Sequence, residues 1–391
     1  MPGRIKRTLA RVLPVPARTS YRMNQGVLDA VNALGKEVSG INRRLDTIDK
    51  LIIDINTEMG RDICELKEET AAVINAAGGI YNKIINIEKK IWRVEGNIRL
   101  IADHKEYEYY KNLKPVEYRC ALEELYEKRI GAKPNIYDPQ TYNEKIQWLK
   151  LYDSTALKTT LSDKLDVRSW VKDKIGEEYL TPLLGVWEHY SEIDFNALPE
   201  RFALKCTHGY AWNLIVKDKS ALDHKSAESD FERWLNTNFA FVAGLELQYR
   251  DIPPRIIAEE YLENSDADLY DYKIWCFNGE PEYIQFISNR NMGLKMAFFD
   301  LDWNLLPFVY SYPQNKEPIP KPACLGEMLR LAKALCQGFS HVRVDFYVLN
   351  DGSIRFGEMT FTSASGMCKW DPPEYDLILG QKITLPALPI V

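Results

Sequence analysis

The chain has 391 residues, a net charge of −6 at pH 7 and a hydrophobic content of 46%. This length and composition predict a globular protein of two or three domains, and the acidic balance gives no reason to expect a nucleic-acid partner. Its seven cysteines are widely spaced and include no Cys-x-x-Cys pair, which argues against a disulfide framework or a zinc site and favours a reducing, cytoplasmic location. No apolar run is long enough for a transmembrane helix.

The first twenty residues carry five basic side chains among short apolar stretches. This pattern is too broken for a signal peptide. It is typical either of a disordered basic tail or of a peripheral contact with the inner face of an anionic membrane.

Residues 21–104 predict an α-helical coiled coil. Apolar residues recur at alternating gaps of three and four from Val31 to Met59 and again from Ile63 to Ile101, with one stutter between the two runs. Isoleucine is frequent at both core positions of the heptad, which favours a homotrimer over a dimer. A helical hairpin bent at Gly78-Gly79 is the alternative, because glycine weakens a helix interior. We prefer the coiled coil because its register continues through the glycines.

From residue 105 onward, helices and short strands alternate. Helices are predicted over residues 122–129, 139–150, 161–174, 226–236 and 325–337. Strands are predicted over residues 202–206, 213–217, 255–262, 270–277, 282–288 and 295–300. This order predicts a mixed α/β (α+β) domain. The regions expected along the chain are a tail (1–20), the coiled coil (21–104), an N-terminal α/β region (105–200), a nucleotide-binding subdomain (201–262) and a C-terminal subdomain (263–391).

A hairpin near the C-terminus, VRVDFYVLNDGSIRFGEMT (342–360), has a carboxylate on each strand. The Asn350-Asp351-Gly352 turn is a strong hairpin signal, and symmetric pairing about it makes Asp345 and Glu358 neighbours across the ladder. Two such carboxylates raise each other's pKa unless a cation lies between them. Oxygen ligands on a rigid sheet suit Mg²⁺. The alternative is a structural network in which Arg343 pairs with one carboxylate.

Three earlier strands carry charged residues, and no one of these strands predicts a function by itself. Lys205 ends a predicted strand before a loop, an arrangement that suits phosphate, although a solvated surface lysine explains it equally. In the 255–262 segment, Glu259 and Glu260 either face a nucleotide or belong to an edge strand that leaves the core. Asp271 and Lys273 share one face of their strand, opposite a candidate core face that contains Tyr272 and Ile274.

Taken in order, these segments resemble the ATP-grasp superfamily, and within it the subgroup typified by the teichuronopeptide-biosynthesis protein. The resemblance covers residues 115–385 and omits the coiled coil. The stretches that carry it are YNEKIQWLK (142–150), DKLDVR (163–168), FALK (202–205), EEYL (259–262), DYK (271–273), VRVD (342–345) and FGEMTF (356–361).

The resemblance implies an ATP-grasp fold that holds ATP between two subdomains, with Lys164 and Lys205 near its phosphates. It also implies Mg²⁺ bound by Asp345, Glu358 and Thr360. Other residues implied beside the nucleotide are His208, Gly209, Glu259, Glu260, Leu262 and Asp271, although a structural hydrogen bond is an equal explanation for His208. Residues implied on the side of the transferred phosphate or the acceptor are Arg343, Lys273 and Arg290.

The sequence departs from the superfamily pattern in two places. The third metal ligand is usually asparagine, and here it is Thr360, which offers a hydroxyl but no amide carbonyl. The phosphate-covering loop usually has several glycines, and here residues 207–212 contain only Gly209. Both departures predict either altered geometry or a degenerate site.

The activity implied by the resemblance is an amide-forming, ATP-dependent ligation of a carboxylate to an amine through an acyl phosphate. By analogy alone, the carboxylate is a uronic acid of a cell-surface polysaccharide and the amine is an amino acid. The rivals are a glycan kinase, a glycosyltransferase, and a non-catalytic scaffold in which the coiled coil is the function.

Overall fold

A computed structural model of the chain describes residues 105–387, except 243, 264–268, 289–294 and 316, together with most positions between 33 and 50. The chain divides into two compact units, Met1–Gly96 and Asn97–Val391. The described positions between 33 and 50 are helical. The basic tail and the rest of the predicted coiled coil lie outside the described residues. Within the described part, no helix combines the length and apolar character that a membrane span requires.

The second unit contains helices and strands in mixed order. The strands are β1 (Leu183–Trp187), β2 (Phe202–Cys206), β3 (Asn213–Val216), β4 (Ile256–Glu260), β5 (Tyr270–Phe277), β6 (Glu280–Ser288), β7 (Lys295–Phe299), β8 (Val309–Tyr310), β9 (His341–Val348), β10 (Ile354–Thr360) and β11 (Trp370–Asp371). The helices are α1 (Tyr118–Ile130), α2 (Tyr142–Tyr152), α3 (Ala156–Ser162), α4 (Val167–Lys174), α5 (His224–Leu235), α6 (Leu325–Leu335) and α7 (Tyr375–Gln381).

The first sheet has four antiparallel strands in the order β1-β4-β2-β3. One face is apolar and packs on α5, where Phe202, Leu204 and Ile256 contact the buried Phe231. The opposite face carries Lys205. Sequence prediction found three of the four strands to within two residues and missed β1, a short run interrupted by Gly185.

The second sheet has five antiparallel strands in the order β10-β9-β5-β6-β7. Its back face contributes Ile274, Val344 and Phe346 to a core covered by α6, whose Met328 and Leu331 are fully buried. This confirms the predicted core parity of β5. The two-residue strands β8 and β11 form a separate small sheet.

Helix α2 begins with the predicted capping box: the Thr141 side chain accepts from the Glu144 N–H, and the Glu144 carboxylate accepts from the Thr141 N–H. The single helix predicted over 161–174 is wrong, because the structure has α3 and α4 with a turn between them. There the Asp163 carboxylate accepts from the N–H groups of Leu165 and Asp166 at 2.7 and 3.1 Å. A short polar side chain that bonds the backbone in this way competes with the helix ladder.

Candidate functional site

Two carboxylates lie directly opposite each other on the β9–β10 hairpin. Glu358 is the register partner of Asp345, and the register shifts between Phe356 and Glu358. The extra residue of this β-bulge is Gly357, where a Cβ atom would lie 3.1 Å from the carbonyl oxygen of Asp345. The predicted proximity of Asp345 and Glu358 is confirmed, and the bulge is what brings Glu358, rather than residue 357, onto the face of Asp345.

Arg343 joins the two carboxylates. Its Nε and Nη2 atoms donate to the two oxygens of Asp345 at 2.7 and 2.8 Å. Nη2 also lies 3.0 Å from Oε1 of Glu358 and 3.0 Å from Oγ1 of Thr360. The Thr360 hydroxyl in turn donates to Oε1 of Glu358 at 2.8 Å. A guanidinium in this bidentate geometry removes most of the repulsion expected between the carboxylates.

Lys273 on the neighbouring strand completes this charge cluster. It is the register partner of Asp345 across β5 and β9, and its Nζ lies 2.5 Å from Asp345 Oδ2 and 2.7 Å from Asp271 Oδ2. Burial raises the pKa of the Asp345 carboxyl, but Arg343 and Lys273 outweigh burial and hold that pKa below its usual value. Asp345 is therefore ionised at neutral pH.

The oxygen atoms of Asp345, Glu358 and Thr360 are of the kind that binds a magnesium ion. Asp345 and Glu358 supply carboxylate oxygens and Thr360 a hydroxyl oxygen, which are the ligands that Mg²⁺ prefers. Among the described residues no group of three or more His, Cys, Asp and Glu side chains is arranged for a metal. Both Asp345 oxygens and one Glu358 oxygen already accept from Arg343. The residues fit an ion that would exchange part of these hydrogen bonds, and Glu358, at 29% exposure, is the most accessible ligand.

A second charge cluster lies on the four-stranded sheet. Lys205 Nζ on β2 lies 2.6 Å from Glu259 Oε2 on β4. Arg168 from α4 bonds the other Glu259 oxygen at 3.0 Å and the carbonyl oxygen of Thr181 at 2.8 Å. The structure thus brings together Lys205 and Glu259 as a pair. Arg168 received no role from the sequence, since a charged residue in a helix is usually a solvated one.

The loop after β2 holds the next predicted residues. The carbonyl oxygen of Gly209 accepts from the Lys164 ammonium. A Cβ at Gly209 would lie 2.4 Å from the Trp212 ring, so the loop needs glycine there. His208 is only 2% exposed, and its Nε2 lies 3.0 Å from the carbonyl oxygen of Trp234. Burial lowers the pKa of His208, and its contact is the structural hydrogen bond that the sequence left open.

A narrow cleft lies beside the first charge cluster. It is lined by Ser162 and Lys164 from the α3–α4 segment, by Glu358 from β10 and by Tyr249. Burial lowers the pKa of Lys164, the Glu358 charge raises it and the Lys205 charge lowers it further, so Lys164 lies within electrostatic reach of both Glu358 and Lys205. Burial and Glu358 also raise the pKa of Tyr249. No pattern in the sequence pointed to Tyr249.

The remaining predicted residues are more scattered. Glu260 is exposed, and its N–H donates to the carbonyl oxygen of Pro182 at 3.0 Å. Leu262 is half-buried beyond the end of β4. Asp271 pairs with Lys273 on the five-stranded sheet, away from the four-stranded one. Arg290 lies outside the described residues.

Comparison with protein families decides the assignment. The family model described as TupA-like ATPgrasp matches residues 144–384, which include both charge clusters and the cleft. The chain belongs to the TupA-like ATP-grasp family. The matched range contains the seven stretches on which the sequence resemblance rests, apart from the first two residues of YNEKIQWLK. The mixed α/β architecture of two antiparallel sheets is thus the ATP-grasp fold in its TupA-like form.

Solved structures similar to this TupA-like ATP-grasp chain include a synthetase and a ligase. N5-carboxyaminoimidazole synthetase from Staphylococcus aureus is 12% identical over 58% of this chain and 53% of its own, with a TM-score of 0.32. D-alanine–D-alanine ligase from Bacillus anthracis is 18% identical over 56% of this chain and 62% of its own, with a TM-score of 0.33. The chain therefore spans between half and two thirds of their length. No curated protein matches it.

Proposed function

We propose that the chain is an ATP-dependent carboxylate–amine ligase that forms an amide through an acyl phosphate. The observation that carries the proposal is the cleft lined by Lys164 and Glu358, with Lys205 within electrostatic reach of Lys164. Lysines on one side and a carboxylate pair on the other are what a magnesium–nucleotide complex requires. Family membership supports the same assignment.

The four-stranded sheet would bind the nucleotide. On the face that carries Lys205, the side chains of Val186 and Ile215 are 40% and 46% exposed. An apolar face beside a lysine suits a purine ring with phosphates extending from it. The 259–262 segment borders this face, and the backbone of Leu262 is the candidate partner for the base.

The five-stranded sheet would bind the metal and the transferred phosphate. Asp345, Glu358 and Thr360 would hold Mg²⁺, which, when bound, neutralises charge on the nucleotide phosphates. Arg343 and Lys273 supply fixed positive charge to an anionic substrate without reorganising, because Asp345 already orients both. Neither the sheet nor the cleft has to supply a nucleophile.

The reaction balances without any protein-bound intermediate. A substrate carboxylate oxygen attacks the γ-phosphorus of ATP, the bond from that phosphorus to the β–γ bridging oxygen breaks, and ADP leaves. The amine nitrogen then attacks the carbonyl carbon of the acyl phosphate. The new C–N bond forms, phosphate leaves and the amine gives up a proton. The residues of the site contribute charge stabilisation and positioning to both steps.

The substrates are proposed from the family resemblance. The carboxylate would be a uronic acid of a cell-surface polysaccharide or its precursor, and the amine would be an amino acid. We also propose that the 21–104 segment makes the protein a homo-oligomer, a trimer in preference to a dimer, which would favour repeated action on a polymer. The basic N-terminus would add a peripheral contact with the cytoplasmic face of the membrane.

The test measures nucleotide binding and turnover separately. Calorimetric titration of Mg-ATP should give binding to wild type and at least about tenfold weaker binding to Lys205→Met, because one charge-assisted phosphate contact is lost. The control is Lys225→Met, an exposed lysine on α5. ADP release should then require a uronic acid and an amino acid together. Release with a sugar and no amine would indicate a kinase, and consumption of a nucleotide sugar without ATP a glycosyltransferase.

One observation favours a second candidate, a non-catalytic scaffold. Arg343 and Lys273 occupy the oxygens of Asp345, and Thr360 stands where the superfamily has asparagine. A site locked in this way would bind Mg-ATP weakly. Equal or absent binding in wild type and Asp345→Ala, with an intact oligomer, would favour the scaffold over the ligase.

A further inference from the structure

The loop that follows β10 has an unusual backbone. Ala364, Ser365 and Gly366 have φ values of 48°, 56° and 60°. Two consecutive non-glycine residues in the left-handed region are costly, and such a backbone persists only where its surroundings enforce it. The loop begins just after Thr360, and Ser363 Oγ lies 3.5 Å from Nη1 of Arg343. This 362–366 loop is therefore the neighbour of the carboxylate-bridging guanidinium.

Two side chains of α2, Lys150 and Gln147, hold this loop through hydrogen bonds. Lys150 is completely buried, and its Nζ lies 2.6 Å from both the carbonyl oxygen and the Oγ of Ser365. The same ammonium lies 2.9 Å from the carbonyl oxygen of Gly244 and 3.1 Å from Gln147 Oε1. Gln147 Nε2 donates to the carbonyl oxygen of Gly366 at 2.5 Å. A buried ammonium surrounded by four oxygens makes strong, directional contacts to the loop.

A second group of side chains also bonds the loop. The Thr362 hydroxyl donates to the buried Glu246 carboxylate and accepts from Gln248 Nε2 at 2.8 Å. Burial lowers the pKa of Lys150 to about 7, and the Glu246 charge opposes this. At Gly366, a Cβ would lie 2.6 Å from Gln147 Nε2, so the loop and α2 are in direct contact. Two buried polar side chains, Lys150 and Glu246, therefore both bond the loop.

We propose that Lys150 is a positioning residue: together with Gln147 and Glu246 it fixes the 362–366 loop, and through Ser363 it positions Nη1 of Arg343, while Asp345 holds Nε and Nη2. The proposed chemistry gives the YNEKIQWLK segment no role, and this inference supplies one. The inference rests on the proposed function for its effect on turnover, but not for its effect on the loop. Lys150 does not line the Lys164–Glu358 cleft. Its loss should therefore act on turnover and leave nucleotide affinity unchanged.

The first experiment is hydrogen exchange on the full chain. In Lys150→Met, amides of the 362–366 loop should exchange about tenfold faster, the change expected for loss of one charge-assisted hydrogen bond. Because Lys150→Met leaves Glu246 without its cation, the double variant Lys150→Met/Glu246→Gln is measured as well. The matched control is Lys145→Met on the same helix, whose Nζ bonds the carbonyl oxygen of Ile383 at 2.7 Å instead of the loop. Unchanged loop exchange in the folded double variant would overturn the proposal.

The second experiment separates positioning from general stability. In the double variant, the Kd for Mg-ATP should stay within about twofold of wild type while the rate of ADP release falls about tenfold or more. Ser363→Ala combined with Lys150→Met should be non-additive in rate, because both act on Arg343 through one loop. Additive losses, or equal losses in rate and nucleotide affinity, would reduce Lys150 to a structural residue. If wild type releases no ADP, the proposed function fails, whereas the exchange result still decides whether Lys150 holds the loop.

Discussion

One face of each sheet carries a lysine and a carboxylate that an arginine also bonds, but the two groups differ in their access to solvent. On the four-stranded sheet the side chains of Lys205 and Arg168 are 24% and 16% exposed around Glu259. On the five-stranded sheet Lys273 and Arg343 are 12% and 9% exposed around Asp345, itself 3% exposed. The first group can exchange a carboxylate for a phosphate at little cost. The second is fixed before any ligand arrives.

Removing the arginine of each group gives the largest expected contrast. Arg343→Leu leaves Asp345 and Glu358 facing each other with one lysine, and should cost about 3–5 kcal/mol of unfolding free energy. Arg168→Leu should cost roughly 1–2 kcal/mol, because Glu259 keeps Lys205 and is closer to water. Urea unfolding followed by tryptophan fluorescence measures both. Equal costs would remove the distinction between a fixed and an exchangeable group.

A buried histidine at the start of β9 makes the five-stranded sheet sensitive to acid. His341 lies 3.1 Å from the Tyr142 hydroxyl and 3.0 Å from the carbonyl oxygen of Cys276, and burial lowers its pKa to about 3. The unfolded chain binds this proton near pH 6.5, so stability should fall as the pH drops below that value, by about 2 kcal/mol at pH 5.

The variant that tests this is His341→Gln, which can keep both hydrogen bonds but does not titrate. The difference in stability between pH 7 and pH 5 should shrink by about 2 kcal/mol in the variant relative to wild type. The control is His189→Gln, since His189 is exposed. An unchanged slope in His341→Gln would mean that other groups carry the acid sensitivity.

The bulge that aligns the carboxylates can be tested at Gly357. A methyl group there would meet backbone atoms of Asp345 at 3.1 to 3.4 Å, and backbone moves less easily than a side chain, so Gly357→Ala should cost roughly 1–3 kcal/mol. Gly326→Ala on α6 meets nothing within 4 Å and should stabilise by about 0.5–1 kcal/mol. Opposite signs in thermal unfolding are the expected result. A neutral Gly357→Ala would mean that the strands can separate slightly.

The smallest expected effect on stability belongs to the four-stranded sheet. Lys205→Met should change the unfolding free energy by less than about 1 kcal/mol, because Glu259 keeps Arg168 and the lysine is partly solvated. The same variant is expected to weaken Mg-ATP binding strongly. A large loss of stability would mean that Lys205, like Arg343, stabilises the fold. Lys217→Met, at an exposed position just after β3, is the control.

Local signals in the sequence predicted most elements that position the site. The capping box at Thr141, the turn at Asn350-Asp351-Gly352 and the parity of β5 are short-range features, and the structure has all three. The α3–α4 break was missed because the Asp163 carboxylate, which bonds the N–H groups of Leu165 and Asp166, is also bonded at 2.6 Å by Arg255, a residue far away in sequence. The Lys150 network was missed for the same reason, since Ser365 and Gly244 approach it only in the folded chain.

The single extra residue in β10 has a consequence for insertions and deletions. Residues on either side of Gly357 alternate in opposite phase, so deleting Gly357 would keep Glu358 opposite Asp345, whereas deleting Met359 would turn Thr360 toward the hydrophobic core. Lengthening the hairpin tip at 350–353 would leave the pairing of Glu358 with Asp345 untouched. Among homologous sequences, gaps should therefore collect at the tip and be rare between Glu358 and Thr360.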